Sequence, residues 1–135
     1  MGNIEKIFDS NDARNLSHRR LPKLIYDFIE GATGREISSK GNVTAFDDVK
    51  LLPRALVDVS ERNLTTSFMG NNYSQPFGIA PMGMCNLTYP NADILMAKAA
   101  KSRSFPHGLA TATSTGLAEV HAAGGDNSWF QLYVF

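Results

Sequence analysis

The chain has 135 residues, of which 43% are hydrophobic and 19% are charged, a globular composition that argues against wholesale disorder. Its 13 basic and 13 acidic residues give a net charge of zero, so nothing indicates a nucleic-acid partner. The single cysteine, Cys85, excludes an internal disulfide and a cysteine-rich metal site, and no apolar stretch approaches the ~20 residues of a membrane-spanning helix.

Residues 1–72 are predicted to form an N-terminal cap of helical and irregular segments. The first residues lack the apolar core of a secretory signal, so we expect a cytoplasmic protein. Apolar residues recur at helical spacing from Leu21 to Ile29, with Pro22 in the first turn and Gly31 as a stop. Tyr26 lies off this apolar stripe, so its phenol is either a surface group or is presented to something else. Beyond Ile37 the pattern weakens into polar segments and short strand-like pieces.

Residues 73–135 alternate between predicted strands and helices. This order requires parallel strands with right-handed crossovers, as in an open doubly wound sheet or an eight-stranded barrel. Three strands cannot close a barrel, which needs ~8 strands and ~250 residues. The first strand is not followed by Gly-x-Gly-x-x-Gly, which weakens the dinucleotide-binding alternative. The predicted strands are Phe77–Gly83, Gly108–Ala112 and Trp129–Phe135; the predicted helices are Asp93–Lys101 and Leu117–Ala123, the second capped by Ser114 or Thr115.

The third predicted strand runs to the last residue without a turn or a polar tail. Its period of two places Trp129, Gln131 and Tyr133 on one face. Folded domains rarely end on an open apolar strand, because its unpaired edge invites aggregation. We therefore expect the chain to be the N-terminal part of something larger.

Several segments together resemble the FMN-dependent α-hydroxy-acid oxidases and dehydrogenases, the family of glycolate oxidase, L-lactate dehydrogenase and mandelate dehydrogenase. The resemblance runs from about Leu16 to the end of the chain, and the order and spacing of its motifs are more specific than any one of them. It implies the N-terminal part of a (β/α)8 barrel, with about three barrel strands after a helical cap. The matching segments are Leu21–Phe28, Gly31-Ala32, Pro53–Ser60, Pro76–Gly83 and Trp129–Val134.

The resemblance implies FMN as the cofactor and assigns contacts to it. Pro81, Met82 and Gly83 match the segment whose main chain lines the flavin ring, and barrel enzymes place their sites at such strand ends. Ala110 aligns with a position often occupied by serine, so it could act only through its main chain. Gln131 matches the glutamine that binds the polar edge of the flavin, as its amide can both donate and accept. Thr111 could supply a hydroxyl only if the register shifted, because adjacent strand residues face opposite ways.

The same resemblance implies a 2-hydroxy acid as substrate, oxidised to a 2-oxo acid by hydride transfer to the flavin. Tyr26 matches the tyrosine that binds the substrate carboxylate, and Tyr133 matches a second tyrosine near the substrate hydroxyl. The family's catalytic histidine, its arginine and lysine, and its phosphate-binding loops lie in later strands. None of His18, His107 and His121 matches the family base, so we expect this chain alone to be inactive.

Three departures from the family pattern leave open to which subfamily the chain is most similar. Thr33–Glu36 replaces a common acidic pair, Met82 replaces a frequent threonine, and Ser104–Gly108 is an unusual entry to the second strand. The resemblance also implies a homo-oligomer at full length and no metal, with peripheral attachment at the inner face of a membrane as the alternative to a cytoplasmic location.

Two competing interpretations remain. A non-catalytic remnant could persist as a binding or oligomerising module. The second interpretation is a barrel enzyme of different chemistry, such as an IMP-dehydrogenase-like or flavin-isomerase enzyme. The combination of Tyr26, Gln131 and Tyr133 argues against this second interpretation.

Overall fold

The computed structural model describes residues 7–134, which divide into two compact units at Val57 and Asp58. The sequence-based division at residue 72 stays a prediction. None of the helices among the described residues combines the length and apolar character required to cross a bilayer. The first unit contains α1 (Ser10–Arg20), α2 (Lys23–Glu30) and α3 (Ile37–Thr44), the last followed by a 3-10 turn at Ala45–Asp48.

Local chemistry sets the ends of the first two helices. The Asp9 side chain accepts a hydrogen bond from the Asp12 N–H at 2.8 Å and so caps α1. Pro22 precedes α2, and Gly31 ends it with an N–H bonded to the Asp27 carbonyl at 2.9 Å. A side chain at position 31 would meet that carbonyl oxygen at 2.7 Å, which explains the glycine. The predicted stop of α2 is confirmed, whereas the helix begins at Lys23 and Pro22 precedes its first turn.

The apolar stripe of α2 is not covered within the first unit. Leu24 is 80% exposed and Phe28 62% exposed, whereas Tyr26 is half-buried. The tyrosine ring lies edge-on against His18 of α1, with the ring centroids 4.8 Å apart. None of the described residues up to Val57 is buried, so helical periodicity identified the helix correctly without identifying a covered face.

The second unit begins with an antiparallel hairpin, β1 (Thr66–Phe68) and β2 (Asn71–Tyr73). Met69 and Gly70 form its two-residue turn, and both have positive φ, as a type I′ turn requires. Tyr73 is 4% exposed and anchors the hairpin.

Three parallel segments and two helices follow. Ile79 bridges His107 of β3 (His107–Leu109), and β3 pairs in parallel with β4 (Ser128–Phe130). The crossovers contain α4 (Ala92–Arg103) and α5 (Leu117–Gly124). Short 3-10 turns lie at Cys85–Leu87, after the first parallel segment, and at Gly125–Asn127, before β4. The predicted helices are confirmed, although Gly116 precedes α5 and no side chain caps it, so the predicted Ser114 or Thr115 cap is wrong.

A small apolar core lies between β3 and the two crossover helices. Leu109 is 1% exposed and packs with Ala97 and Val120, both fully buried. Two glycines permit the close approach of neighbouring elements. A Cβ at Gly108 would meet Pro81 Cδ at 2.8 Å, and one at Gly124 would meet Ser128 Oγ at 2.0 Å.

All three parallel segments are shorter than predicted. The first is a single bridge at Ile79, since Pro76 and Pro81 have no N–H to donate to a ladder. The second starts one residue early, at His107, and ends at Leu109 instead of Ala112. The third ends at Phe130 rather than Phe135, and Phe135 lies outside the described residues.

Candidate functional site

The residues predicted to contact the flavin all follow a parallel segment directly. Pro81-Met82-Gly83 comes after the Ile79 bridge, Ala110 after β3 and Gln131 after β4. Because the carboxyl ends of neighbouring parallel strands meet at one edge of the sheet, the structure brings these three segments together.

A main-chain contact joins the first of these segments to the second: the Met84 N–H donates to the Ala112 carbonyl at 2.8 Å. Within the first segment, the Cys85 thiol donates to the Met82 carbonyl at 3.3 Å. Pro81, Met82 and Gly83 are exposed. The segment is therefore tied at its far end and open to a ligand along its length.

Ala110 is 2% exposed, and its methyl group offers no hydrogen bond. A contact with a cofactor would therefore have to come from its main chain, as the sequence predicts. That contact stays a prediction.

Gln131 and Tyr133 lie on the segment that extends β4. The Gln131 N–H donates to the Leu109 carbonyl at 2.9 Å, so the parallel pairing continues one residue beyond the strand. The Gln131 carbonyl accepts from the Thr111 hydroxyl, and the Tyr133 N–H donates to the same hydroxyl oxygen at 3.1 Å. Gln131 is half-buried and Tyr133 is 48% exposed.

A buried polar network supports the loops after the first two parallel segments. Asp93, 2% exposed in the first turn of α4, accepts hydrogen bonds from Thr113 Oγ1 at 2.6 Å and Thr115 Oγ1 at 2.9 Å. Asn86 Nδ2 donates to Thr115 Oγ1 and to Ser114 Oγ, both at 2.8 Å. Asn86 follows the first parallel segment, so the network connects the two loops through side chains as well.

Sequence reasoning missed this network. An acidic residue in the first turn is what any helix N-terminus favours, but the carboxylate of Asp93 also bonds to threonines about twenty positions further on. The pattern that could have identified it is Thr-x-Thr in the second loop, since two hydroxyls two residues apart can donate to one carboxylate.

Two titratable groups near the parallel segments have altered pKa values. Burial lowers the pKa of His107, and the negative charge of Asp93 opposes that shift. His107 is 1% exposed and neither ring nitrogen has a hydrogen-bond partner among the described residues, so the neutral imidazole is favoured. Burial, reinforced by Asp93, raises the pKa of the Cys85 thiol, which disfavours the reactive thiolate.

The remaining predicted residue, Tyr26, belongs to the first unit, where its ring contacts His18. Its predicted role at the substrate carboxylate stays a prediction, as does that of Tyr133 at the substrate hydroxyl.

Comparison with known proteins gives a consistent result. The model of the FMN-dependent dehydrogenase family matches residues 17–135. The chain is 35% identical over 130 residues to (S)-mandelate dehydrogenase of Pseudomonas putida, covering 96% of this chain and 33% of that protein. It is 32% identical over 132 residues to glycolate oxidase 3 of Oryza sativa subsp. indica, covering 98% of this chain and 36% of that protein. The chain thus spans about a third of the length of these relatives.

Solved structures agree with this assignment. A mutant of an active chimera of (S)-mandelate dehydrogenase superimposes with a TM-score of 0.87 at 36% identity, over 94% of this chain and 36% of that one. A mandelate oxidase gives a TM-score of 0.84 at 32% identity, over 91% of this chain and 36% of that one. The predicted fold class, the N-terminal part of a (β/α)8 barrel, and the family resemblance are confirmed.

Proposed function

The chain belongs to the FMN-dependent dehydrogenase family, and on this premise we propose that it forms the N-terminal part of an enzyme that oxidises a 2-hydroxy acid to a 2-oxo acid. One observation carries the proposal: the three segments matched to flavin contacts follow three neighbouring parallel segments and are bonded to one another there. The Met84 N–H donates to the Ala112 carbonyl. The Thr111 hydroxyl donates to the Gln131 carbonyl and accepts from the Tyr133 N–H.

The residues present fit the ring system of FMN. Pro81-Met82-Gly83 is exposed, so its main chain is accessible to a flat ring. Gln131 is half-buried, so its amide can donate to and accept from a polar ring edge without full competition from water. We assign no phosphate contact to this chain, because the resemblance puts those loops in later strands.

FMN, when bound, supplies a hydride acceptor, and this chain's residues orient the partners of that transfer. We propose that Gln131 holds the polar edge of the ring. The phenols of Tyr26 and Tyr133 bind the carboxylate and the hydroxyl of the substrate, since a neutral O–H donates well to a carboxylate oxygen.

The substrate hydroxyl proton needs a base that this chain does not offer. His107 is buried with its pKa lowered, His18 contacts Tyr26, and His121 is exposed on α5. General base catalysis typically contributes about 10²–10⁴ in rate, so we propose that the isolated chain is inactive and does not hold FMN tightly.

The biological setting is proposed on the same grounds. The partners are a small 2-hydroxy acid and further copies of the full-length chain, with no metal or nucleic acid. The location is cytoplasmic, or peripheral at the inner face of the membrane; one related structure is a soluble mutant of the membrane-associated (S)-mandelate dehydrogenase from Pseudomonas putida.

The complete reading frame that carries this chain tests the proposal. We expect the encoded protein to purify with about one FMN per subunit and its flavin to bleach anaerobically on addition of lactate, glycolate or mandelate. Gln131→Leu removes the proposed ring contact and is expected to lower the FMN content, whereas Gln75→Leu, the same substitution at a half-buried glutamine before the first parallel segment, is the matched control.

A folded full-length protein without flavin would refute the enzyme proposal. A reading frame that stops directly after Phe135 would favour the alternative, a non-catalytic module that binds a partner or oligomerises. Stoichiometric flavin on the isolated chain would contradict the proposed inability of the chain to hold FMN.

A further inference from the structure

A side chain continues the pairing between the second and third parallel segments beyond the end of β3. Leu109 pairs with Phe130, and its carbonyl accepts from the Gln131 N–H at 2.9 Å. In a regular parallel ladder, Thr111 would bond next, its N–H donating to the Gln131 carbonyl and its carbonyl accepting from the Tyr133 N–H. Both bonds would use main-chain groups of Thr111.

The Thr111 hydroxyl makes both of these bonds instead. It donates to the Gln131 carbonyl, and its oxygen accepts from the Tyr133 N–H at 3.1 Å. A hydroxyl can do this because it carries one donor and two acceptor lone pairs. The residue is half-buried, so competition from water at these bonds is reduced.

Bonding through the Thr111 side chain is required because the two segments diverge after Leu109. After Leu109 the chain turns away toward Ala112, whose carbonyl bonds the Met84 N–H at 2.8 Å in the first loop. The third segment must nevertheless stay extended as far as Tyr133. Thr111 allows both, because its main chain follows the turn while its hydroxyl stays with the neighbouring segment.

We propose that Thr111 is a positioning residue that fixes the main chain at Gln131 and Tyr133 and thereby the directions of their side chains. The importance of those directions rests on the proposed function, in which Gln131 holds the flavin and Tyr133 the substrate. The two hydrogen bonds of the Thr111 hydroxyl, to the Gln131 carbonyl and from the Tyr133 N–H, form a bridge that is independent of any ligand.

The bridge requires a side-chain hydroxyl at position 111. Thr111→Val has the same shape without the hydroxyl, and Thr111→Ser keeps the hydroxyl without the methyl group. Thr113→Val is the matched control, since that hydroxyl donates to Asp93 and its loss leaves the bridge in place.

Amide hydrogen exchange of the full 135-residue chain, followed by NMR, tests the proposal. We expect Thr111→Val to accelerate exchange of the Tyr133 N–H about tenfold while the Gln131 N–H, bonded to main chain, changes less than about twofold. Thr111→Ser restores the Tyr133 rate to within about threefold of the wild type, and Thr113→Val leaves the ratio of the two rates unchanged.

Three results would overturn the proposal: a Tyr133 N–H that is unprotected in the wild type, one that Thr111→Val does not accelerate, or equal acceleration by Thr111→Val and Thr111→Ser. No flavin is present in the measurement. A full-length protein that fails to bind FMN would therefore refute the proposed function and leave the exchange result standing, and the reverse outcome would refute the bridge alone.

Discussion

The indole N–H of Trp129 donates a hydrogen bond to the phenol oxygen of Tyr73 at 3.0 Å, which joins β4 to the hairpin. The Trp129 ring also lies 5.7 Å from that of Phe68, between ring centroids. Trp129 is thus held to the hairpin by a polar contact with Tyr73, 56 positions away in sequence, and by an aromatic contact with Phe68.

Loss of this hydrogen bond should weaken the second unit. We expect Tyr73→Phe to lower the free energy of unfolding by ~1 kcal/mol, because the partly buried indole N–H loses its acceptor. Trp129 is the only tryptophan, so its fluorescence during urea unfolding reports the change directly. Tyr89→Phe, at an exposed tyrosine, serves as the control and should leave the midpoint unchanged.

Removal of the Asp93 carboxylate should lower the free energy of unfolding more than removal of a surface carboxylate does. Asp93→Ala leaves the hydroxyls of Thr113 and Thr115 without their acceptor, and we expect a loss of about 2–3 kcal/mol. Asp126→Ala, at an exposed position, should change the stability by less than about 0.5 kcal/mol. Chemical denaturation of the two variants checks the difference; equal effects would contradict a structural role for the network.

His107 should make the fold weaken in mild acid. Its pKa in the folded chain is lowered from the ordinary value of 6.5, so the unfolded chain binds the proton first as the pH falls. Stability is therefore complete above pH 6.5 and decreases as the pH falls from there toward the lowered pKa. His107→Leu should reduce this dependence, and His121→Gln, at an exposed histidine, should retain it; unfolding at about pH 5.5 and about pH 7.5 gives the comparison.

Gly108 should not tolerate a side chain. Gly108→Ala places a methyl group 2.8 Å from Pro81 Cδ, and we expect the resulting overpacking to cost about 1–3 kcal/mol. Gly41→Ala is the opposite case, since no described atom beyond the adjoining backbone of α3 lies within 4 Å of its Cβ position. That variant should stabilise its helix by about 0.5–1 kcal/mol. Thermal unfolding of the two variants should show melting temperatures displaced in opposite directions.

The helices of the second unit and the alternation of strand and helix were predictable because periodicity and helix-ending residues are local properties. The hairpin was not predicted, since its turn uses Met69 before Gly70 where asparagine or aspartate is the usual indicator. The ends of β3 and β4 could not be predicted either. The regular pairing ends where the chain bends after Leu109, and the Thr111 hydroxyl then bonds residues about twenty positions further along the chain, which no local pattern indicates.

Some features of the candidate site were likewise predictable from the sequence and others were not. The position of Pro81 at the end of the first segment was predictable, whereas Ala110 and Gln131 were expected inside strands and directly follow them instead. Burial was not predictable, because it depends on long-range packing: Ala110 is almost fully covered, and Leu24 and Phe28 of α2 are exposed.

The central claim is that this chain supplies one side of a flavin site. The most direct measurement joins residues 17–135 to the matching remainder of (S)-mandelate dehydrogenase and records the flavin absorbance of the purified fusion. We expect about one FMN per chain, bleached anaerobically by (S)-mandelate, and a lower FMN content with Gln131→Leu. A fusion with the circular dichroism of the parent enzyme but without flavin would contradict it.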